Sequence, residues 1–217
     1  MPGGVRAPVK EIDGPAGRLE VILEEPDAGD PAAVVVFGHP HPLHGGTMHT
    51  KVVFRASKTL ASFGCAVLRF NFRGVGRSEG TFGNGDGEIE DFRAAMDFLV
   101  DRYPSAPLWT AGMSFGAYVS LNAGANDDRV DTLLGLAPAL HMYDFSAVRV
   151  STKRKYFIQG EKDEVCPLPG MQAFFESLPE PKQLAVIPEA KHLFVGQLDE
   201  VADAIRTFFA DWQGHHD

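Results

Sequence analysis

The chain has 217 residues, of which 44% are hydrophobic and 23% are charged, and this composition predicts one globular domain over residues 1–217. Lysine and arginine number 20 and aspartate and glutamate 29, which gives a formal net charge of −9. Nucleic acids and anionic membranes attract basic surfaces, so we expect neither as a partner. No run of residues approaches the roughly 20 apolar positions of a membrane-spanning helix.

Two features of the sequence concern the compartment. The first six residues lack the basic and then apolar pattern of a signal peptide. Cys65 and Cys166 are too few for a disulfide framework, which is typical of a reducing environment. We therefore expect a cytoplasmic protein. The sequence leaves the oligomeric state open, and a homo-oligomer is compatible with it.

Strand and helix patterns alternate along the chain. Residues 5–12 and 18–24 predict a hairpin, and the apolar run 32–37 predicts a strand that is buried on both faces. Apolar residues at helical spacing predict the first helix over 49–63. Later strands are predicted at 65–71, from 108 into a Gly-x-Ser-x-Gly motif, and at 132–137, 155–159 and 183–187, and later helices at 87–102, directly after that motif, and at 168–178 and 194–210.

This alternation predicts an α/β fold of three layers, in which helices cover both faces of a mostly parallel sheet of about eight strands. In such sheets, binding and catalytic residues gather in the loops that follow the carboxyl ends of the strands. Candidate functional residues are therefore expected in those loops.

The stretch Gly112-Met113-Ser114-Phe115-Gly116 joins a predicted strand to a predicted helix. In that context it predicts a nucleophile elbow, a turn so tight that Ser114 has strained backbone angles and an exposed hydroxyl. We expect glycine at 112 and 116 because the strand and the helix pass close together there, and a Cβ would collide. An ordinary turn rich in glycine and serine is the alternative.

A serine hydroxyl needs a base to become a nucleophile, and histidine is the usual one. His192 follows the last predicted strand and precedes the last predicted helix, so it is expected at the same edge of the sheet as Ser114. His141 comes too early in the chain, and two further histidines lie in the tail. We therefore predict His192 as the base.

The carboxylate that orients the base is expected in the turn after the strand 155–159. Glu161, Asp163 and Glu164 are all candidates in this turn, and solvent-exposed charge is the alternative for each. The residue types alone leave the choice open.

Backbone N–H groups are expected to bind the negative charge that develops on the substrate oxygen. One is that of Phe115, the residue after the nucleophile, and the other belongs to the loop after the strand 32–37. Because Pro40 and Pro42 have no N–H in that loop, His41 is the first candidate and Leu43 the second.

The same loop contains His39, His41 and His44, with His49 shortly after it, and imidazoles are common zinc ligands. No carboxylate or thiolate accompanies them, and the two prolines do not fit a helical pair of histidine ligands. We therefore predict no metal site here, with metal binding as the less favoured alternative.

Four motifs in this order along the chain resemble the α/β-hydrolase superfamily: residues 71–78 (NFRGVGRS), the Gly-x-Ser-x-Gly motif, the turn from Gly160 to Asp163, and the late His192. More narrowly, residues 39–48 (HPHPLHGGTM) resemble a small bacterial subfamily of serine hydrolases related to dienelactone hydrolase-like proteins. The superfamily commonly has its acid in a Gly-x-x-Asp turn, so the resemblance selects Asp163. The nucleophile position is Ser114, not the cysteine of dienelactone hydrolases proper, so their lactone substrate is not carried over.

Members of the superfamily often carry a lid after the sixth strand, but here only residues 141–154 separate the loop after that strand from the next strand. We therefore expect no lid domain and an open site that suits small or exposed acyl groups. Leu43, Met113 and Met142, together with Phe115, are the predicted substrate-binding residues. Packing in the interior is the alternative for each.

The residues and the resemblance together predict a serine esterase. Ser114 attacks the acyl carbon, His192 transfers the proton, Asp163 holds the imidazole, and the amides of Phe115 and His41 bind the oxyanion. The expected partner is a small-molecule ester, and the predicted chemistry uses no cofactor. The alternatives are a thioesterase, lactonase or peptidase with the same triad, or a non-catalytic binding module of the same fold.

Overall fold

The computed structural model describes residues 8–27 and 29–212, so residues 5–7 of the first predicted strand lie outside the described part. The strands are β1 Glu11–Gly14, β2 Gly17–Glu24, β3 Val34–Gly38, β4 Ala66–Phe70, β5 Leu108–Met113, β6 Val130–Leu136, β7 Arg154–Gly160 and β8 Lys182–Ile187. The helices are α1 Lys51–Ala61, α2 Asp86–Arg102, α3 Phe115–Ala125, α4 Ser146–Val150, α5 Leu168–Ser177 and α6 Leu198–Phe208, and Pro42–His44 form a single 3-10 turn. Of the helices in this described part, none has the length and apolar character needed to cross a bilayer.

The eight strands form one sheet in the order β1-β2-β4-β3-β5-β6-β7-β8. β1 and β2 form an antiparallel hairpin, as predicted, and β2 runs antiparallel to β4. The six strands β3 to β8 are all parallel to one another. The prediction of a mostly parallel sheet of about eight strands is confirmed. Because parallel strands all end at one edge, the loops after β3, β5, β6, β7 and β8 meet there.

Helices cover both faces of the sheet and complete the three layers. The strand β3 is buried along its whole length, and its successive side chains alternate between the two cores. Val34 and Val36 face the core beneath α2, α3 and α5, whereas Val35 and Phe37 face the core beneath α1 and α6. The continuous apolar run in the sequence therefore reflects burial on both faces, as predicted.

Three segments differ from the prediction. The first strand was predicted over 5–12, but β1 spans Glu11–Gly14 and residues 8–10 precede it. The helix α6 begins at Leu198 and not at 194, because Phe194 and Gly196 have φ angles of 52° and 80°, which a right-handed helix excludes. The connection 141–154 contains the unpredicted helix α4, which has five residues. A helix of that length does not make a lid, and the lidless architecture expected from the sequence is confirmed.

The strand β5 and the helix α3 cross at a distance that only glycine allows. A Cβ on Gly112 would lie 2.1 Å from the carbonyl oxygen of Gly116, and a Cβ on Gly116 would lie 2.4 Å from the carbonyl oxygen of Gly38. Both contacts involve backbone atoms, which cannot rotate away as a side chain can. The structure confirms the predicted reason for glycine at 112, whereas Gly116 is required because α3 also passes close to the end of β3.

Replacing Gly112 by alanine is expected to lower the free energy of unfolding by about 3 kcal/mol, because β5 and α3 must move apart to accept the methyl group. Urea denaturation followed by circular dichroism measures the change. The control is Gly170→Ala in α5, where a Cβ meets no atom within 4 Å and alanine favours the helix by about 1 kcal/mol. A G112A variant as stable as the wild type would contradict the crossing described above.

Candidate active site

Ser114 lies in the turn between β5 and α3 with φ 56° and ψ −115°, a conformation that residues other than glycine rarely adopt. Backbone hydrogen bonds hold this turn. The Ser114 N–H donates to the carbonyl oxygen of Leu136 at 2.9 Å, and the Ser114 carbonyl accepts from the N–H groups of Ala117 and Tyr118. The strained elbow geometry predicted from the motif is therefore present, and surrounding structure stabilises it.

Three side chains from three loops form a continuous hydrogen-bonded relay at the carboxyl edge of the sheet. His192 Nε2 lies 2.9 Å from Ser114 Oγ, and His192 Nδ1 lies 2.9 Å from Asp163 Oδ2. A carboxylate can only accept, so Nδ1 carries a proton and Nε2 is free to accept the hydroxyl proton of the serine. An imidazole placed in this way can act as a general base toward Ser114.

The structure separates the three acidic candidates of the turn after β7. Only Asp163 reaches His192, and its side chain is buried. Glu161 accepts a hydrogen bond from the backbone of the loop after β8, and the carboxylate of Glu164 is largely exposed. The geometry thus brings together Ser114, Asp163 and His192, the set chosen from the sequence and the resemblance.

Asp163 is held by donors that the sequence reasoning did not include. Its Oδ1 accepts the N–H groups of Val165 and Cys166 at 2.9 and 2.7 Å, and its Oδ2 accepts Gln159 Nε2 at 3.0 Å. Gln159 Nε2 also donates to the carbonyl oxygen of Cys166 at 2.6 Å. A polar side chain near the end of the otherwise apolar segment 156–160 was the available signal, since buried polar groups need partners.

The buried side chain of His39 stabilises the loop after β3 through two hydrogen bonds. This side chain is fully buried, its Nδ1 donates to the carbonyl oxygen of Pro40 at 2.6 Å, and its Nε2 accepts the N–H of Phe72 at 3.1 Å. Each ring nitrogen is engaged in the neutral form, and burial lowers the pKa of the His39 imidazole to about 4. His39 therefore joins the loops after β3 and β4.

The backbone N–H groups of Phe115 and His41 donate to no acceptor in the part of the chain that the structure describes. Both residues line the same cavity as Ser114. The N–H of Leu43, by contrast, donates to Nδ1 of His41 at 3.2 Å. Of the two candidates in this loop, His41 is therefore the one whose N–H is available to a ligand.

In the described part of the chain, the histidines of the loop after β3 do not form a group of three possible metal ligands. Within residues 8–27 and 29–212, the one group of three possible metal ligands is Asp163, Cys166 and His192, whose ligand atoms lie within 4.8 Å of one another. Hydrogen bonds to Asp163 from the Cys166 N–H and from His192 account for this proximity. Burial raises the pKa of the Cys166 thiol to about 12, so the sulfur is protonated near neutrality.

A cavity of about 720 Å³ opens at Ser114 and His192. Much of its lining is apolar, and its outer part is formed by exposed hydrophobic side chains, namely Met142, Val165, Leu193 and Val195. Met142 therefore lies where a substrate-binding residue was predicted. The shape is an open cleft, as expected for a chain without a lid.

Two of the predicted substrate-binding side chains require correction. Met113 is the last residue of β5, directly before Ser114. Its side chain is fully buried in the core beneath α1 and α6, away from the cleft. Leu43 is exposed and lies outside the lining of the cavity. Phe115 does line the cavity, although its ring is packed among the aromatic residues of the core beneath α3.

Comparison with known families gives two matches along the chain. The family model described as "Serine aminopeptidase, S33" matches residues 29–152, which is more than half of the chain. A second model, described as "PhoPQ-activated pathogenicity-related protein", matches residues 113–217. The two matched segments share the elbow and α3.

Solved structures resemble this chain over nearly its whole length. An alpha-beta serine hydrolase homologue from Coxiella burnetii is 36% identical, with 91% of this chain and 95% of that chain covered and a TM-score of 0.86. An α/β serine hydrolase without a lid, from Xanthomonas campestris, is 35% identical, with 98% and 97% covered and a TM-score of 0.88. A dienelactone hydrolase from Anabaena variabilis shares the fold at 20% identity, with 94% and 96% covered and a TM-score of 0.76.

The buried His39 makes the stability of the protein depend on pH. Its pKa is about 4 in the folded chain and about 6.5 when unfolded, so the unfolded chain binds the extra proton between these values. We expect His39 to contribute a loss of about 3 kcal/mol in the free energy of unfolding as the pH falls from 6.5 to 4.

Urea denaturation at several pH values tests this expectation with the wild type and His39→Gln. The glutamine variant is expected to be less stable at pH 7, because it loses hydrogen bonds, yet to lose less stability on acidification than the wild type. Equal pH dependence in the two proteins would show that His39 does not titrate as described.

Proposed function

The chain belongs to the α/β serine hydrolases, and from this premise we propose that it cleaves small carboxylic esters through an acyl-enzyme. The observation that carries the proposal is the relay in which His192 lies 2.9 Å from both Ser114 Oγ and Asp163 Oδ2. A hydroxyl, an imidazole and a carboxylate in this geometry have the parts needed for nucleophilic attack on an acyl carbon.

In the proposed mechanism, Ser114 Oγ attacks the ester carbonyl carbon while its proton passes to His192 Nε2. The N–H groups of Phe115 and His41, which have no other acceptor in the described chain, donate to the resulting oxyanion. Asp163 stabilises the imidazolium through Nδ1. Collapse of the intermediate transfers the proton to the departing alcohol, and a water molecule then hydrolyses the acyl-enzyme by the same steps.

The cleft favours an ester over the amino-terminal peptide that a serine aminopeptidase acts on. A free α-ammonium group requires an unpaired carboxylate at the site. The two carboxylates that line the cleft, Glu164 and Glu189, lie 4.0 Å from Lys191 Nζ and 3.6 Å from Lys162 Nζ respectively. Both carboxylates are largely exposed and each lies near a lysine, so neither is a buried, fixed partner for an ammonium group, and the remaining outer lining is largely apolar, which suits an acyl or alkyl group.

The proposed function also covers the cofactor requirement, the partner and the compartment. Each proton in the mechanism moves between named side chains, substrate and water, so the chemistry requires no cofactor. The partner is a small-molecule ester in the cytoplasm, and the acidic net charge of −9 speaks against nucleic acid and anionic membranes as partners. Thioesters and lactones use the same machinery and are the closest competing substrates.

Ser114→Ala is expected to abolish both labelling by a fluorophosphonate and hydrolysis of p-nitrophenyl esters, because it removes the nucleophile and leaves the fold intact. In another serine hydrolase such a change lowered kcat by about a millionfold. The measurement compares wild type and variant with p-nitrophenyl acetate and butyrate, beside matched thioesters, lactones and an aminoacyl p-nitroanilide.

The outcomes of that experiment are distinct. Ester hydrolysis that persists in the variant would refute the role of Ser114. Labelling of the wild type without ester turnover would move the substrate to one of the other acyl classes. A wild type that neither reacts nor hydrolyses would favour the non-catalytic binding module.

Gln159→Met is expected to lower kcat by about tenfold to a hundredfold with little change in KM, because a hydrogen bond to a charged group contributes about 1.5–3 kcal/mol. Gln159 is buried, donates to Asp163 and does not line the cleft, so substrate binding is spared. The control is Gln183→Met, an equivalent change at an exposed position of β8. A Q159M enzyme with wild-type kcat would show that Gln159 does not position the acid.

A further inference from the structure

A second, smaller cavity lies beside the main cleft. It has a volume of about 280 Å³ and sits between the loops after β6 and β7 and the first turn of α5. Its wall is mostly apolar, formed by residues such as Pro138, Leu140, Pro167 and Met171. None of the steps in the proposed mechanism uses this cavity.

The two cavities share a boundary. Glu164 and Val165 line both of them, and the side chain of Val165 is about half exposed. The backbone N–H of Val165 donates to Asp163 Oδ1, so this boundary is fixed directly beside the relay. Val165 and Glu164 thus separate the cavity that contains Ser114 from the smaller one.

The loop after β6 contributes to both sides of the boundary. Ala139 and Met142 line the main cleft, whereas Leu140 and His141 line the smaller cavity. The two spaces are thus neighbouring parts of one surface built from the loops after β6 and β7. An extended chain is the shape of ligand that reaches from one part to the other.

The chemistry of the smaller cavity selects an apolar ligand. The Cys166 side chain within its wall is a buried thiol whose pKa is raised to about 12 by burial, so it brings no charge. The ionisable side chains of the lining, His141 and Glu164, are exposed at the surface. The rest of the wall is mostly apolar, so a carboxylate or a sugar that entered it would lose hydration and gain few polar partners.

We propose that the smaller cavity is a subsite for an unbranched apolar chain of the ester substrate. This inference rests on the proposed function and extends it, because it sets a preference for esters with one medium-length hydrocarbon chain over esters whose acyl and alcohol groups are both short. The chain belongs either to the acyl group or to the alcohol of the ester; both present the same methylene surface, and each buried methylene favours binding.

Gly170 offers a way to fill the subsite without touching the relay. It lines the cavity near the start of α5, and a Cβ built on it meets no atom within 4 Å. Gly170→Leu adds hydrocarbon at the wall of the cavity, and Gly170→Asp adds a charge at the same wall, at a helix position where an acidic group favours folding. The matched control is Gln172→Leu, which adds the same side chain at an exposed position of the same helix outside the cavity lining.

The experiment measures kcat/KM for two series with the wild type and the three variants. The acyl series is p-nitrophenyl acetate and octanoate, and the alcohol series is ethyl and hexyl acetate. In one of the two series, we expect the wild type to have the higher kcat/KM for the longer ester. The ratio of kcat/KM for the longer ester to that for the shorter one is expected to fall by about tenfold in both Gly170 variants and to stay unchanged in Gln172→Leu. The affected series identifies which side of the ester carries the chain.

An unchanged preference in both series for either Gly170 variant that folds would overturn the subsite. Equal losses for short and long esters would also overturn it, because the cavity would then have no part in chain selection. Loss of the proposed function has a different signature, since the wild type would hydrolyse none of the esters and Ser114→Ala would have no activity to remove.

Discussion

The close crossing of β5 and α3 is the constraint on which the rest of the site depends. With a side chain at Gly112, β5 and α3 could not approach, and with one at Gly116, α3 could not approach the end of β3. The tight crossing forces Ser114 into its left-handed backbone conformation and directs its hydroxyl away from the core. The serine oxygen is thereby held where His192 Nε2 lies 2.9 Å from it.

Burial gives the histidines of this site different properties. His39 is enclosed, remains neutral and has both ring nitrogens bonded to backbone groups, so it serves to fix the loop that carries His41. His192 is partly exposed at the cleft, with one nitrogen bonded to a buried carboxylate and the other at the serine. One imidazole thus holds two loops together, and the other is placed with Nε2 free to accept a proton.

Much of the fold, together with Ser114 and His192, could be predicted from local patterns and chain order, whereas the choice of Asp163 among three acidic residues needed the family resemblance. Hydrophobic periodicity indicated the sheet, and the position of His192 after the last strand indicated the base. The direction of a side chain could not be predicted in the same way. Met113 was predicted to bind substrate, but its side chain lies on the far face of β5, in the core beneath α1 and α6. Gln159 and the second cavity depend on contacts between separate loops, which no single stretch of sequence encodes.

The distance along the chain between the reacting groups has a consequence for folding. Ser114 and His192 are 78 residues apart in sequence, and β6, β7 and β8 must all join the sheet before they meet. Such long-range contacts close late, after the entropy of the intervening chain has been lost. During synthesis, the elbow therefore emerges well before the loop that carries His192, and Ser114 gains its hydrogen bond to this imidazole only after the last strand has docked.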